Sequence, residues 1–447
     1  MNRICWIVTM LSIALLFNLC ATPLTAADNE EGFVPMFNGK DLSGWKMINI
    51  APSTFTVKDG MVICSGKPIG ELRTEKMYEN FIMELEWRHM KPKGNAGVFV
   101  WADDITAQGQ PFHRGIEVQV LENAYGNSKG HTVHGDIFPI HGAKMTPING
   151  RGGSRAFPTE NRSKPSPEWN HYRITCIDGT ISLAVNGKVV TRGKNCQPRK
   201  GYICLESEGG IVHYKNVRIK ELPPSKTPLK PADIAKADVG FRSLYNGVDL
   251  TGWKVDPKNE GNWQVRDWVL NYNGKGTHLW TAEEFEDFEL IVDWRWPVNK
   301  NNKPKTVQRQ VILPSGDFAV GDDGKPRTQQ VDEMGDSGIY LRGSAKYQVN
   351  IWCWPAGSGE MWGIRGDKNL PAKVRAGAVP KVKADRKLGQ WNRFHITCKG
   401  DHVKVLLNGK LVIDNVIPNM KAKGPIALQH HGNPIQFANI YVRELKK

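Results

Sequence analysis

The sequence predicts an all-β protein built as two sandwich or jelly-roll domains in tandem. Three observations carry that prediction. Apolar and polar residues alternate with period two through block after block, as in strands that bury one face. The pairs Asn186–Gly187 and Asn408–Gly409 each sit between apolar runs, the signal of a tight hairpin turn. The blocks also occur twice in the same order, and no long stretch in either copy has helical periodicity. The 447 residues suffice for two domains, each large enough to bury its own core.

Residues 1–27 read as a signal peptide. Arg3 gives a positive start, ICWIVTMLSIALLFNLC an apolar run, and Thr25 and Ala27 the small residues before a cleavage point. A retained anchor is the competing reading, but no basic stop-transfer cluster follows the run. No later stretch is long and apolar enough to span a bilayer. The mature protein is therefore expected to be exported, periplasmic or extracellular, without a membrane span.

Six cysteines follow this segment. Cys176 and Cys398 occupy matching apolar strands and read as buried thiols, while Cys196 with Cys204 is the expected bridge. No Cys/His spacing suggests zinc; no metal ligand or cofactor is assigned, and a metal requirement is not legible. The net charge of +15 suits anionic glycans or an envelope surface, or is simply solvated. Nucleic acid is disfavoured, because the Lys and Arg are scattered without an aromatic–basic motif. Oligomeric state is not legible.

The first copy spans 28–222, a Pro- and Lys-rich linker 223–240, and the second copy 241–447. FNGKDLSGWK (37–46) answers YNGVDLTGWK (245–254), and NAGVFVW (95–101) answers DSGIYLR (336–342). EVQVL (117–121) answers YQVNI (347–351), and EWNHYRITC (168–176) answers QWNRFHITC (390–398). GYICLESEGG (201–210) answers GPIALQHHGN (424–433). The opening phrase reads as framework, with Trp45 and Trp253 as core plugs rather than ligand platforms.

Taken together, F-N-G-x-D-L-x-G-W, N-S-G-I-x-x-R, x-Q-V, E-W-N, L-N-G and I-x-L-Q-x-H-G resemble the 3-keto-disaccharide hydrolase family, once per copy. That resemblance implies a concanavalin-A-like lectin/glucanase sandwich in each domain, and cleavage of a glycosidic bond next to a 3-keto group. The copies depart from the pattern differently. The second keeps DSGIYLR and LQHHG; the first has NAGVFVW and LESEG, yet retains GIEVQVLE and adds HTVHGDIFPIHGA (131–143).

Strand alternation puts Glu117 and Gln119 on one face of GIEVQVLE, and Glu206 and Glu208 on one face of ICLESEG. Glu84 and Glu86 share a face in IMELEW. If these faces converge on the concave side, the first domain offers carboxylates beside a loop carrying His131, His134 and His141. A carboxylate among like charges can stay protonated at neutral pH. The expected catalytic set is Glu117, His134, His141 and Glu206. Glu117 or a histidine would be the base, and Glu206 or another histidine the acid. Gln119, His131, Glu208, Arg342, Gln348, Gln429 and His431 are expected to bind substrate. Trp352, Trp354 and Trp362 are either core or sugar-stacking surfaces. Solvated strand carboxylates and ordinary loop histidines remain the plainer alternative.

The expected function is an exported hydrolase of 3-keto-disaccharides or related glycosides, its partner an oxidised sugar or other glycan. The alternative is a non-catalytic, lectin-like glycan-binding envelope protein.

Overall fold

The computed structural model describes residues 31–445. The expected signal peptide, 1–27, lies outside the described residues. Each copy folds as two antiparallel sheets packed face to face over one apolar core. This is the all-β tandem architecture that the alternation predicts.

In the first half the larger sheet is centred on Phe81–His89, flanked by Asn170–Ile177 and Val212–Glu221. The facing six-stranded sheet runs Trp45–Ile48, Gly70–Thr74, Tyr202–Ser207, Asn95–Ala102, Gly115–Leu121, Ile137–Ile140. In the second half an eight-stranded sheet centred on Phe288–Arg295 faces a five-stranded one. That smaller sheet runs Trp253–Lys254, Leu279–Thr281, Ala427–Leu428, Asp336–Leu341, Ser344–Trp352. No described helix is long and apolar enough to cross a membrane.

Period two decides which side chains meet. Leu72, Val98, Val118 and Leu205 of the six-stranded sheet point inward against Met83, Leu85, Tyr172 and Ile174, all fully buried. Each large apolar side chain so buried contributes about 1.5–3 kcal/mol. The residues between them point outward, and these carry the chemistry.

The twice-written phrase builds the same turn twice. Asn38 donates to Asp41 at 2.7 Å and Asn246 to Asp249 at 2.8 Å. Trp45 donates to the Met36 carbonyl and Trp253 to that of Leu244, both at 2.8 Å. Gly44 (φ 85°) and Gly252 (φ 89°) turn the chain in the left-handed region that favours glycine.

The halves touch through the loop 103–114, which joins Asn95–Ala102 to Gly115–Leu121. Asp293 of the second half is fully buried and accepts from Gly109 N at 2.7 Å, Asn439 Nδ2 at 2.8 Å and Arg393 Nε at 2.6 Å. Thr106 and Tyr441 share a hydroxyl hydrogen bond at 2.8 Å. Gly109 (φ 68°) lies so close to Trp391 that a Cβ would fall 2.2 Å from the ring. The segment after the first half is also anchored: Arg199 N donates to the Asp233 carbonyl, and Asp104 N to that of Lys236.

Candidate active site

The outward face of the six-stranded sheet of the first half is polar. Glu71 stands opposite Glu206, Gly97 opposite Gln119, and Phe99 opposite Glu117. Gly97 lies between the two central carboxylates. A Cβ there would lie 2.9 Å from Glu206 Oε2 and 3.1 Å from Glu117 Oε1. The absent side chain is the space in which the two acids converge. Glu206 is 1% and Glu117 6% exposed, while Glu208 and Asn95 beside them are half-buried and open the row to solvent.

Burial dominates the electrostatics. It pushes Glu117 well above the usual carboxylate range; Glu208 adds to this and Arg155 opposes it. Glu206 is raised by burial first, then by Glu117 and Glu208. Glu208 is raised by burial against the Asn95 amide that donates to it. Asn95 in turn accepts from Gln119 Nε2 at 2.8 Å. Both are raised together, so the two do not both ionise and at least one keeps its proton as an acid.

The expected histidines form no hydrogen bond to this row, and His141 comes near it only through His113. His134 is buried and its Nε2 accepts from the Arg162 backbone N–H at 3.4 Å. Burial lowers its pKa to about 4. His131 packs edge-on against Tyr125, and His141 is exposed with φ 52°. None of their hydrogen bonds or ring contacts reaches Glu117, Glu206 or Glu208. Glu84 and Glu86 belong to the opposite sheet, where Arg218 and Lys215 hold them at 2.6 Å and 3.1 Å.

Two further expectations are corrected. Arg342 does not face the sugar-binding side. It is 1% exposed, donating to the carbonyls of Glu286 at 2.7 Å and Gly400 at 2.8 Å and to Asp287 at 2.9 Å. Its counterpart Trp101 donates likewise to the Glu79 carbonyl at 2.9 Å. Both sit in the left-handed region (φ 47° and 54°), which breaks strand parity and turns them into the framework. The cysteines Cys196 and Cys204 are both free, because their strands belong to different sheets.

In the second half the same face carries different groups. Asn350 opposes Gly338 and Gln348 opposes Tyr340, with Gln429 alongside. By register Gln348 occupies the place of Glu117, one residue along from the sequence match of 117–121 with 347–351, which pairs Glu117 with Tyr347. Gln429 occupies the place of Glu206 and His431 that of Glu208. This face opens into a cavity of about 580 Å³ lined by Phe318, Trp352, Trp354 and Trp362, with Asp336, Gln348, Gln429 and His431. Trp352 and Trp354 stack at 4.5 Å, and Trp362 is 59% exposed. Burial pushes Asp336 up to about 6 against the pull of His431. Glu360, on Asn350 at 2.8 Å and on Arg365, is raised to about 7 by burial.

Sequence reasoning missed Glu71, His113, Asn350 and Glu360. Glu71 and Asn350 follow from period two once the sheet neighbours are known. His113 and Glu360 come from loops and carry no such signal.

The family described as 3-keto-alpha-glucoside-1,2-lyase-like domain matches residues 32–220 and again residues 240–443. Among solved structures, a candidate glycosyl hydrolase from Parabacteroides distasonis is 24% identical, with a TM-score of 0.34, covering 45% of this chain and 98% of its own. A carbohydrate-binding module from Bacillus subtilis is 9% identical (TM-score 0.30), covering 40% of this chain and 96% of its own. A β-glucanase from Bacillus licheniformis is 13% identical (TM-score 0.27), covering 43% and 97%. No curated protein matches.

Proposed function

The chain belongs to the 3-keto-alpha-glucoside-1,2-lyase-like family in both of its halves, and from that premise we propose an exported enzyme that cleaves 3-keto-disaccharides or related 3-keto-glycosides. The first half does the chemistry; the second holds glycan without cleaving it. One observation carries this division. Two carboxylates, Glu117 and Glu206, converge across Gly97, whereas two amides, Gln348 and Gln429, occupy the matching places.

A ketone at C3 acidifies the hydrogen on C2. Glu117 removes that proton, the C2–H electrons form a C1–C2 double bond, and the C1–O bond breaks. Glu206 supplies the proton that the departing oxygen takes up. Water then adds across the enone, so the sum is hydrolysis. General acid–base assistance of this kind contributes about 10²–10⁴-fold. Gln119 and Glu208 stand on the same face to hold sugar hydroxyls.

An amide neither takes nor gives a proton at neutral pH, so the second half lacks this pair. Its stacked and exposed tryptophans suit the apolar faces of sugar rings. That groove also favours the second reading, a lectin-like protein without turnover. The deciding experiment incubates the mature protein with a 3-keto-disaccharide and with its unoxidised parent, following free sugar. Release from the keto form alone is expected. Binding of glycan with release from neither establishes the lectin-like reading instead.

A further inference from the structure

We propose that Glu71, His113 and Cys204 form a binding site for one divalent transition-metal ion of the zinc class. Glu71 and Cys204 lie on neighbouring strands of the six-stranded sheet, both pointing outward. His113 reaches them from the loop 103–114. All three side chains are fully buried, and their donor atoms lie within 4.8 Å of one another.

The hydrogen bonds around His113 argue for an ion. Its Nε2 lies 3.1 Å from the Asp104 carbonyl, which only accepts, so Nε2 carries the proton of the neutral ring. Nδ1 is then a bare lone pair, directed at Glu71 Oε2 and 3.8 Å from Cys204 Sγ. In a dry interior something positive must lie between such donors, a proton or a metal ion, and a third donor, the sulfur, is more than one proton between nitrogen and oxygen needs. A carbonyl on the far nitrogen is also the usual support for a metal-bound histidine.

The charges agree. Among the described residues Glu71 has no partner but His113, and its Oε1 has none at all. The nearby Arg73 is engaged by Asp104 at 2.6 Å and lies over the Tyr202 ring. One carboxylate, with one thiolate formed as Cys204 releases its proton to solvent on binding, would balance a doubly charged ion. A sulfur, nitrogen and oxygen donor set selects zinc or cobalt over magnesium or calcium. Glu206, opposite Glu71 in register, has an unpartnered Oε2 on the same face.

The test uses the full chain, stripped with a chelator and titrated with Co²⁺. Uptake of one equivalent is expected, with a thiolate-to-cobalt charge-transfer band that Zn²⁺ displaces. Cys204→Ser should abolish the band, and His113→Gln should weaken uptake roughly tenfold or more. Cys398→Ser, a buried thiol of the second half, should leave both unchanged. X-ray absorption of the zinc-loaded parent chain needs no variant and should show one sulfur neighbour. No uptake of either ion would mean an imidazolium–carboxylate pair and overturn the proposal. So would a band that survives Cys204→Ser, or a zinc shell without sulfur.

Discussion

Gln348 donates to Gln429 Oε1 at 2.8 Å, joining two amides at the places that Glu117 and Glu206 occupy in the first half. The sheet register is shared, so the difference is chemical rather than architectural. Converting the carboxylates to amides should therefore turn the first half into a copy of the second. Glu117→Gln and Glu206→Gln are each expected to lower release of sugar from a 3-keto-disaccharide about 10²–10⁴-fold. Both should keep the parent's thermal midpoint within a few degrees. Unchanged turnover in either variant would remove that residue from the mechanism.

Gly97 makes a separate prediction. Its backbone is not in the left-handed region, so alanine fits the strand; the obstacle is the pair of carboxylate oxygens at 2.9 Å and 3.1 Å. These are flexible side-chain ends and give way more easily than backbone. Gly97→Ala should fold with stability equal to the parent or up to about 1 kcal/mol higher. Turnover should fall by about 10²-fold, as displacements near 1 Å do. A fall in both stability and turnover would instead show that the strand itself is disturbed.

Buried His134 titrates in a direction that can be worked out. Its pKa falls from 6.5 to about 4 on folding, because burial disfavours the charged ring. Between those values the unfolded chain binds more protons, so stability is complete above the upper value and declines as pH falls toward the lower. The loss is on the order of 1–3 kcal/mol. His134→Gln should flatten this part of the profile, measured as the urea midpoint across the same interval. An unaltered acid slope would assign the loss to another group.

Much of this was legible without coordinates, for reasons particular residues make clear. Alternation placed Glu117 with Gln119 and Glu206 with Glu208, because extended strands obey period two and these residues sit in their middle. It failed at Arg342, where a left-handed φ of 47° and a register shift after Tyr340 end the alternation. It grouped Glu84 with Glu117 because period two identifies a face but not a sheet. It could not find His113, which lies in a loop and meets Glu71 and Cys204 only through the fold and not through its own neighbours in sequence.

The loop that carries His113 also touches the second half, and that gives the last prediction. The loop carrying His113 is fixed from the second half by Asp293, which holds Gly109, Asn439 and Arg393 at once from a fully buried position. Removing one partner of a buried ion pair leaves the other uncompensated, at a cost of about 3–5 kcal/mol. Asp293→Ala should therefore destabilise the protein by that order. It should also speed hydrogen exchange at the amides of 104–113, although those residues belong to the other copy. Sugar release in the first half should decline with the same variant, since the loop sets His113 against Glu71, the register neighbour of Glu206. A loss of stability with exchange in 104–113 unchanged would show that the loop is held by the first half alone. The two halves would then be neighbours without coupling.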